Sequence, residues 1–408
     1  MRNPILLFVV ITCLFALQAS AQEVEPQPEK QVSMEIYGFT MTDAGHDFKQ
    51  VDPAWFDVLR PTKLPAFKNE FGANGETYFS VRQTRMGVKG YLPTRFGELK
   101  TIFEWELFGT GVDAGQTTLR LRHAYGELGK WGAGQYWSPF MDIDVFPNTV
   151  EYWGPNGMVF FRNVQIRYMP IQGDTRLTFA LERPGASADQ GLYANRIELE
   201  GVFPQFQLPD FSAEYRFGKK WGYVELAGIV RRMAWKDLNN DAFDLSGHAT
   251  GWGLNLSSGI KFFKKDILHL QAVYGEGIEN YMNDAPVDVG VQNQFNNTRT
   301  PVKGVALPVL GLVAFYDRYW SDKFSSSLGY SMVDIDNSDA QDPSAFNKGS
   351  YAIGNIIYYP TANALMALEF QWGDRKNFKD GWKTNDYRIQ VSFKYNFSQK
   401  FYHEPTTP

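Results

Sequence analysis

The sequence carries arginines in phase with apolar neighbours, and this pattern points to chemistry with anions. Arg120 and Arg122 alternate with Leu119 and Leu121, so in an extended strand the arginines share one face and the leucines share the other. A guanidinium stays protonated and can hold a carboxylate through two parallel hydrogen bonds. Several such groups along the wall of a water-filled channel predict weak, successive binding of small anions. By this reasoning the predicted basic wall comprises Arg82, Arg85, Lys89, Arg120, Arg122, Arg167, Arg176, Arg388 and Lys394.

Two of these arginines have opposite parity. Arg82 and Arg85 can both face inward only if a β-bulge lies between them, because a bulge shifts the alternation by one residue. Lys89 follows in phase with Arg85. The predicted wall therefore includes both arginines, and their facing is left open.

Acidic residues are predicted to oppose this basic wall. Two glutamates alternate on a neighbouring strand, and three further acids lie in the segment 139–159, which is also rich in aromatic residues and glycine. Two interpretations stay open, because charge counting cannot separate them. The arginines either select passing anions or only pair with the acids of the wall. The acidic residues are Glu104, Glu106, Asp142, Asp144 and Glu151.

The elements that would position these residues are β-strands. From Ser33 onward the chain repeats runs in which apolar and polar residues alternate, and the run 384–397 shows this best. Such runs match the ~9–11 residues that a tilted strand needs to cross a bilayer. Sixteen strands are predicted, over 33–44, 76–91, 97–109, 117–129, 131–138, 160–169, 174–183, 210–218, 221–236, 247–262, 266–277, 305–319, 322–333, 349–359, 362–375 and 384–397.

Alternation alone does not distinguish a soluble β-sandwich from a transmembrane barrel, but the connections do. They alternate between long segments, such as 45–75 and 278–304, and tight turns, such as 359–361. Long outer loops and short periplasmic turns are typical of outer-membrane barrels. The predicted fold is therefore all-β, a transmembrane antiparallel β-barrel. The 16% aromatic content then fits girdles at the two membrane interfaces, with a large aromatic soluble core as the alternative.

The N-terminus predicts export. Arg2, an apolar run over 5–17 and the small residues Ala19 to Ala21 fit a secretory signal with cleavage after Ala21. The next residues are polar and contain proline, whereas no later change in composition marks a second domain. The predicted organisation is a signal peptide (1–21), a short periplasmic lead-in (22–32), the barrel (33–397) with an infolded third loop (139–159), and a C-terminal tail (398–408).

Composition excludes several classes of protein. Apart from 5–17, no segment is apolar enough for a helical membrane span. The single cysteine, Cys13, lies in the signal, which excludes disulfides and thiolate chemistry from the mature chain. A net charge of -5 gives no support to nucleic-acid binding. The five histidines lie far apart without metal-ligand spacing, so we expect neither a metal nor a cofactor.

Three segments resemble the DcaP-like outer-membrane porin family: RQTRMGVKG at 82–90, LRLRHAYGELGKWGAGQYWSPFMDIDVFPNTVEYWGPNGMVFFR at 119–162, and IQVSFKYNF at 389–397. The resemblance implies a sixteen-stranded, homotrimeric porin in the outer membrane of a Gram-negative bacterium. Such a porin passes small anionic solutes, with a preference for dicarboxylates. The resemblance also favours a third loop that folds into the lumen. An extracellular lid or a trimer contact is the alternative role for this loop.

Two other functions stay open beside the anion channel. A sugar or another neutral solute would be favoured by a continuous ladder of aromatic residues facing the lumen. An outer-membrane lipase would need a serine and a histidine close together, and Ser257 and His269 face inward on adjacent predicted strands. We expect a channel with no catalytic residues.

Overall fold

The computed structural model describes residues 31–72 and 74–403. Within them the chain consists mainly of β-strands, with short 3₁₀ helices in the loops. None of the described helices is both long and apolar enough to span a membrane. The barrel strands are β1 (Ser33–Asp47), β2 in two segments (Glu76–Ser80 and Arg85–Thr94), β3 (Gly97–Phe108), β4 (Thr117–Leu128), β5 (Trp131–Trp137), β6 (Arg162–Ile171), β7 (Arg176–Glu182), β8 (Asp210–Lys219), β9 (Gly222–Asp237), β10 (Gly247–Phe262), β11 (Asp266–Glu276), β12 (Pro308–Tyr319), β13 (Phe324–Ile335), β14 (Phe346–Thr361), β15 (Ala364–Asn377) and β16 (Lys383–Tyr402).

These strands form one closed antiparallel sheet. Each strand pairs with its neighbours in sequence, and β1 pairs with β16 from Ser33 opposite Tyr402 to Asp47 opposite Arg388. Closure pairs most of the backbone groups between strands, as strands that cross a bilayer require. The sixteen-stranded transmembrane barrel predicted from the sequence is confirmed.

The two faces of the sheet differ in polarity. On β16, Tyr387 and Phe393 are 41% and 49% exposed on the outside, whereas Arg388 and Gln390 are completely buried on the inside. The apolar outer face meets lipid, since an arginine at the bilayer midplane costs roughly 2–4 kcal/mol. The polar residues therefore line the interior of the barrel.

β2 is interrupted, although the sequence predicted one strand over 76–91. On β1 three residues lie between the partners of the two β2 segments, whereas four residues of β2 (81–84) separate them. The extra residue is a bulge, which shifts the alternation by one. As a result, the side chains of Arg82 and Arg85 both lie on the inner face, where they contact acidic groups.

The C-terminal boundary differs from the prediction. β16 continues past Phe397, and residues 398–402 pair with β1 from Tyr37 back to Ser33. The predicted start of a tail at residue 398 is therefore wrong. Residues 398–402 belong to the strand, because they supply the backbone hydrogen-bond partners of the first five residues of β1. The predicted signal 1–21 and most of the lead-in 22–32 lie outside the described residues.

The loops at the two ends of the barrel differ in length. One end has tight turns, such as 129–130 and 362–363, and the other has eight longer loops. This asymmetry identifies the longer loops as extracellular. The loops are L1 (48–75), L2 (109–116), L3 (138–161), L4 (183–209), L5 (238–246), L6 (277–307), L7 (336–345) and L8 (378–382).

Candidate functional site

L3 runs through the interior of the barrel and bonds to the wall along its length. Near its start, Asp142 accepts hydrogen bonds from the hydroxyl groups of Tyr223 on β9 (2.7 Å) and Ser257 on β10 (2.6 Å). Farther along, the backbone N–H of Asn148 donates to Asp317 on β12 (3.0 Å). These contacts span three different wall strands, so L3 narrows the lumen.

The middle of L3 is fixed by two buried carboxyl groups. Glu369 on β15 accepts hydrogen bonds from the backbone N–H groups of Val150 and Glu151, each at 2.9 Å. The Glu151 side chain in turn accepts from the backbone N–H of Leu59 in L1, at 3.3 Å. Burial raises the pKa of Glu151 to about 7. Glu151 therefore links two loops inside the barrel and does not face the solute path.

L1 and L6 also fold inward, which the sequence did not predict. Arg60 in L1 bonds to Asp284 in L6 at 2.9 Å. The Trp153 indole of L3 donates to the backbone carbonyl of Asn283 in L6, at 2.7 Å. The three loops pack against apolar side chains of β12 and β14. The cluster includes Leu59, Phe140, Met158, Ile278, Tyr281, Val313 and Tyr351. Two cavities lie beside these packed loops, against β3–β8.

Four arginines converge on two glutamates at this side of the lumen. Arg122 donates from Nε to Glu104 (2.7 Å) and from Nη1 to Glu106 (2.7 Å). Arg85 reaches Glu106 at 3.0 Å, and Arg120 bonds to the same carboxylate from Nε at 3.1 Å. The fourth arginine, Arg162 at the start of β6, lies 4.0 Å from Glu106. The arginine cluster thus carries two positive charges more than its glutamates balance.

A second bulge helps to place this cluster. On β4, Trp105 of β3 pairs with Leu121, but Glu104 pairs with His123, so Arg122 is the extra residue. The bulge puts Arg122 and His123 on the inner face together, and both are buried. This local irregularity brings one guanidinium between two carboxylates.

Arg167 and Lys394 differ from the other predicted basic residues. Neither forms an ion pair with a carboxylate among the described residues. The Arg167 guanidinium donates to the side-chain oxygen of Gln165 (2.8 Å) and lies about 5 Å from the rings of Tyr125 and Tyr136. Lys394 lies 3.9 Å from the ring of Phe39. Their charges are therefore not neutralised by the wall.

The remaining predicted basic residues pair locally. Arg82 bonds to Asp57 of L1, Arg388 bonds to Asp47, Arg176 bonds to Glu214 and Glu225, and Lys89 lies 3.5 Å from Glu35. These four residues therefore fit the interpretation in which basic residues only pair with acids of the wall. The arginine cluster, Arg167 and Lys394 instead carry more positive charge than nearby acids neutralise.

A second charged cluster on β7–β9 has the opposite balance. Its two arginines, Arg176 and Arg216, face four acids, and Arg216 Nη1 lies 2.6 Å from Asp144 of L3. The carboxyl group of Asp144 is about half exposed, at 52%. The four acids are Asp142, Asp144, Glu214 and Glu225. The lumen therefore has a basic side and an acidic side.

Two cavities lie in the interior of the barrel. The outer vestibule, about 430 Å³, is lined by loop residues and by Arg120, Tyr152 and Arg162. The inner vestibule, about 580 Å³, opens towards the short turns and is lined by Trp137 and Arg167 of the basic side and by Arg176 and Glu214 of the acidic side. The Arg162 guanidinium lies 5.1 Å from the Trp137 ring, so these two side chains mark the boundary between the vestibules.

Two arginines of the site were missed by the sequence. Arg216 alternates with outward Tyr215 and Phe217, so parity could have identified it. Arg162 has the parity of the lipid face, but it lies opposite Trp137, the last residue of β5. Because β5 ends there, the Arg162 side chain can reach the lumen.

The serine and histidine considered for a lipase do not bond to each other. The Ser257 hydroxyl donates to Asp142, and the His269 ring bonds to Asp317 (3.0 Å) and to the Asp144 carbonyl (3.1 Å). Both side chains therefore hold L3. Among residues 31–72 and 74–403, no group of three or more histidine or acidic side chains could hold a metal ion.

Solved structures of outer-membrane channels share this fold. The outer membrane channel DcaP of Acinetobacter baumannii matches with a TM-score of 0.74 and 20% sequence identity, over 91% of this chain and 99% of that chain. An anion-selective porin from Comamonas acidovorans matches with a TM-score of 0.57 and 10% identity, over 90% and 100%. The trimer form of OmpT from Vibrio cholerae has a TM-score of 0.55 and 12% identity, over 90% and 100%.

No curated protein sequence matches the chain significantly. A family model described as DcaP outer membrane protein matches residues 16–397. This match covers most of the chain and agrees with the barrel, its loop asymmetry and its polar interior. The protein belongs to the DcaP outer membrane protein family and is a porin of the bacterial outer membrane.

Proposed function

We propose that this porin is a passive channel that prefers small anionic solutes, dicarboxylates above all. It works without a catalytic residue or a cofactor. The observation that carries the proposal is the charge imbalance at the boundary of the vestibules. There, among the described residues, Arg85, Arg120, Arg122 and Arg162 pair with two carboxylates, those of Glu104 and Glu106. A positive excess at the narrow part of a pore attracts anions and repels cations.

Dicarboxylates suit a path that carries basic groups in both vestibules. Arg120 and Arg162 line the outer vestibule, and the unpaired Arg167 lines the inner one. A solute with two carboxylates can contact the second site before it leaves the first. Weak binding at successive sites lets a solute pass without being trapped.

Neutral sugars are the second candidate class of solute. Aromatic rings line both vestibules, among them Tyr152 and Trp153 in the outer one and Tyr136 and Trp137 in the inner one. Apolar ring faces suit the hydrophobic faces of sugars. Liposomes that contain the purified porin decide between the two classes. Faster entry of succinate than of a neutral disaccharide supports the proposal, and faster entry of the disaccharide contradicts it.

We also propose that the porin is a homotrimer whose subunits cover a gap in the wall. β4 pairs with β5 only over Ala124–Leu128, because L3 leaves the wall after Trp137. Beyond this paired stretch, towards the outer loops, Leu121 is 41% exposed, and on the β5 side the Gln135 side chain donates to its carbonyl at 3.3 Å. An open sheet edge is not stable against lipid. Another copy of the chain, packed against this part of β4, would shield it.

A further inference from the structure

Glu279 in L6 is a buried acid that no contact described so far uses. It is completely buried and contributes to the lining of the outer vestibule. Neither of its carboxyl oxygens hydrogen-bonds to a side chain among the described residues, and the backbone N–H groups of Ile278 and Glu279 itself are directed towards the carboxyl group. Buried acids without a side-chain partner are uncommon, because burial without compensation is costly. A role in binding a solute would explain this arrangement.

Arg162 is a matching basic group on the same cavity. Its Nη1 atom is buried and has no hydrogen-bond partner in the described part of the chain. The end of L3 runs antiparallel to L6, because the backbone N–H of Phe160 donates to the carbonyl of Tyr281 at 2.9 Å. This register places Arg162 beside Glu279, yet the guanidinium approaches Glu106, at 4.0 Å. A basic and an acidic side chain therefore line one cavity without an ion pair between them.

The surroundings of Glu279 favour a cation. Arg231 bonds to both Asp210 (3.0 Å) and Asp288 (2.9 Å), so this part of L6 and β8 holds more acidic than basic groups. Burial, together with the charge of Asp288, raises the pKa of Glu279 well above its usual value. This site therefore disfavours an uncompensated carboxylate, and an ammonium group beside it would stabilise the negative charge of Glu279.

We propose that the outer vestibule binds zwitterionic solutes, with the carboxylate at Arg162 and the ammonium group at Glu279. The class is linear amino acids whose two charged ends are separated by a short apolar chain. The cavity of about 430 Å³ is also lined by Trp153, Phe160 and Phe161, which suit that chain. This inference deepens the proposed function and rests on it only in taking the outer vestibule as part of the solute path.

The test compares two solutes of the same length, 5-aminopentanoate and pentanoate, on the full-length porin in planar bilayers. The measured quantity is the solute concentration that halves the KCl conductance of a single channel. We expect 5-aminopentanoate to block at about a tenfold lower concentration than pentanoate, since one hydrogen bond between charged groups contributes about 1.5–3 kcal/mol. Equal potency of the two solutes overturns the proposal, without need of any variant.

A variant assigns the effect to Glu279. Glu279→Gln keeps the shape of the side chain and removes the charge, so it should bring the two blocking concentrations to within about twofold of each other. The control Glu200→Gln changes an exposed glutamate of L4 and should keep the difference. A preference that persists in Glu279→Gln overturns the assignment. The reversal potential in a KCl gradient, measured on the same channels, reports separately on the proposed anion preference.

Discussion

Arg122 donates from Nη1 to Glu106 Oε2 at 2.7 Å, and both side chains are buried in the wall of the lumen. This ion pair does not make the wall neutral, because Arg85 and Arg120 contact the same carboxylate. Glu106 holds the arginines in place, and the excess of arginine leaves charge for a solute. Pairing with the wall and selection of anions therefore coexist in one cluster.

Removing the excess arginines should remove the anion preference. The double variant Arg120→Gln with Arg162→Gln leaves two arginines facing two glutamates. One unit charge at 4 Å contributes about 1 kcal/mol even in water, so the permeability ratio of chloride to potassium should fall at least about fivefold. The reversal potential in a KCl gradient measures this ratio. Arg196→Gln, in an exposed part of L4, should leave it unchanged, and an unchanged double variant would count against the cluster.

Arg167 should matter for selectivity and not for stability. Because it has no carboxylate partner among the described residues, Arg167→Gln strands no buried anion. We expect a lower chloride preference with the same temperature of heat unfolding, followed by the shift of the folded band in gel electrophoresis. A clear loss of thermal stability would show that Arg167 mainly supports the wall.

The closure of the barrel should depend on Asp47 and Arg388. The two side chains are completely buried opposite each other on β1 and β16, and they form two hydrogen bonds of 2.6 and 2.7 Å. Asp47→Asn leaves the guanidinium without its anion, which should cost about 3–5 kcal/mol of unfolding free energy. Denaturant unfolding of the porin in detergent measures this loss.

The companion variant for this pair is Asp47→Asn with Arg388→Gln. It removes both charges, so it should recover part of the lost stability. The single variant Arg388→Gln completes the comparison. If the losses of unfolding free energy in the two single variants add up to the loss in the double variant, the two residues are not coupled as described.

The pKa of Glu151 predicts a dependence of stability on pH. Burial raises this pKa from the model-peptide value of 4.5 to about 7, so the folded state binds the proton more tightly than the unfolded state. The contribution of Glu151 is therefore greatest below pH ~4.5 and is lost as the pH rises to ~7. Thermal unfolding at pH 5 and pH 8 should differ less in Glu151→Gln than in the wild type. An equal difference in both proteins would contradict this assignment.

The gap beside β4 predicts which outer residues join the subunits. Leu121 on β4 and Leu256 on β10 are 41% and 51% exposed on opposite parts of the outer face. An arginine in place of either meets an apolar environment, but only Leu121→Arg lies at the proposed contact. We expect Leu121→Arg to dissociate the trimer on native gels or in light scattering, and Leu256→Arg to keep it. The reverse result would place the contact elsewhere.

The strands and their parity could be predicted from the sequence because alternation is a local property. The run of 384–397 shows the lipid and water faces without any knowledge of its neighbours, and the structure keeps that alternation. The extension of β16 to Tyr402 could not be seen, because it depends on pairing with β1 at the far end of the chain.

The details of the site depend on contacts distant in sequence. The bulges that place Arg82 and Arg122 follow from the register between strands. Likewise, the infolding of L1 and L6 depends on pairs such as Arg60 with Asp284, which are far apart in the chain. Such contacts leave no periodic pattern in the sequence. Sequence reasoning therefore found basic residues of the wall and missed Arg162, whose position follows from the end of β5.

The reversal potential of the wild-type porin in a KCl gradient tests the central claim most directly. If four arginines facing two glutamates set the selectivity, single channels should prefer chloride at low salt. The preference should decline as the salt approaches ~1 M, where the Debye length is only ~3 Å. A reversal potential of zero at low salt, or one of the sign that potassium preference gives, would contradict the account.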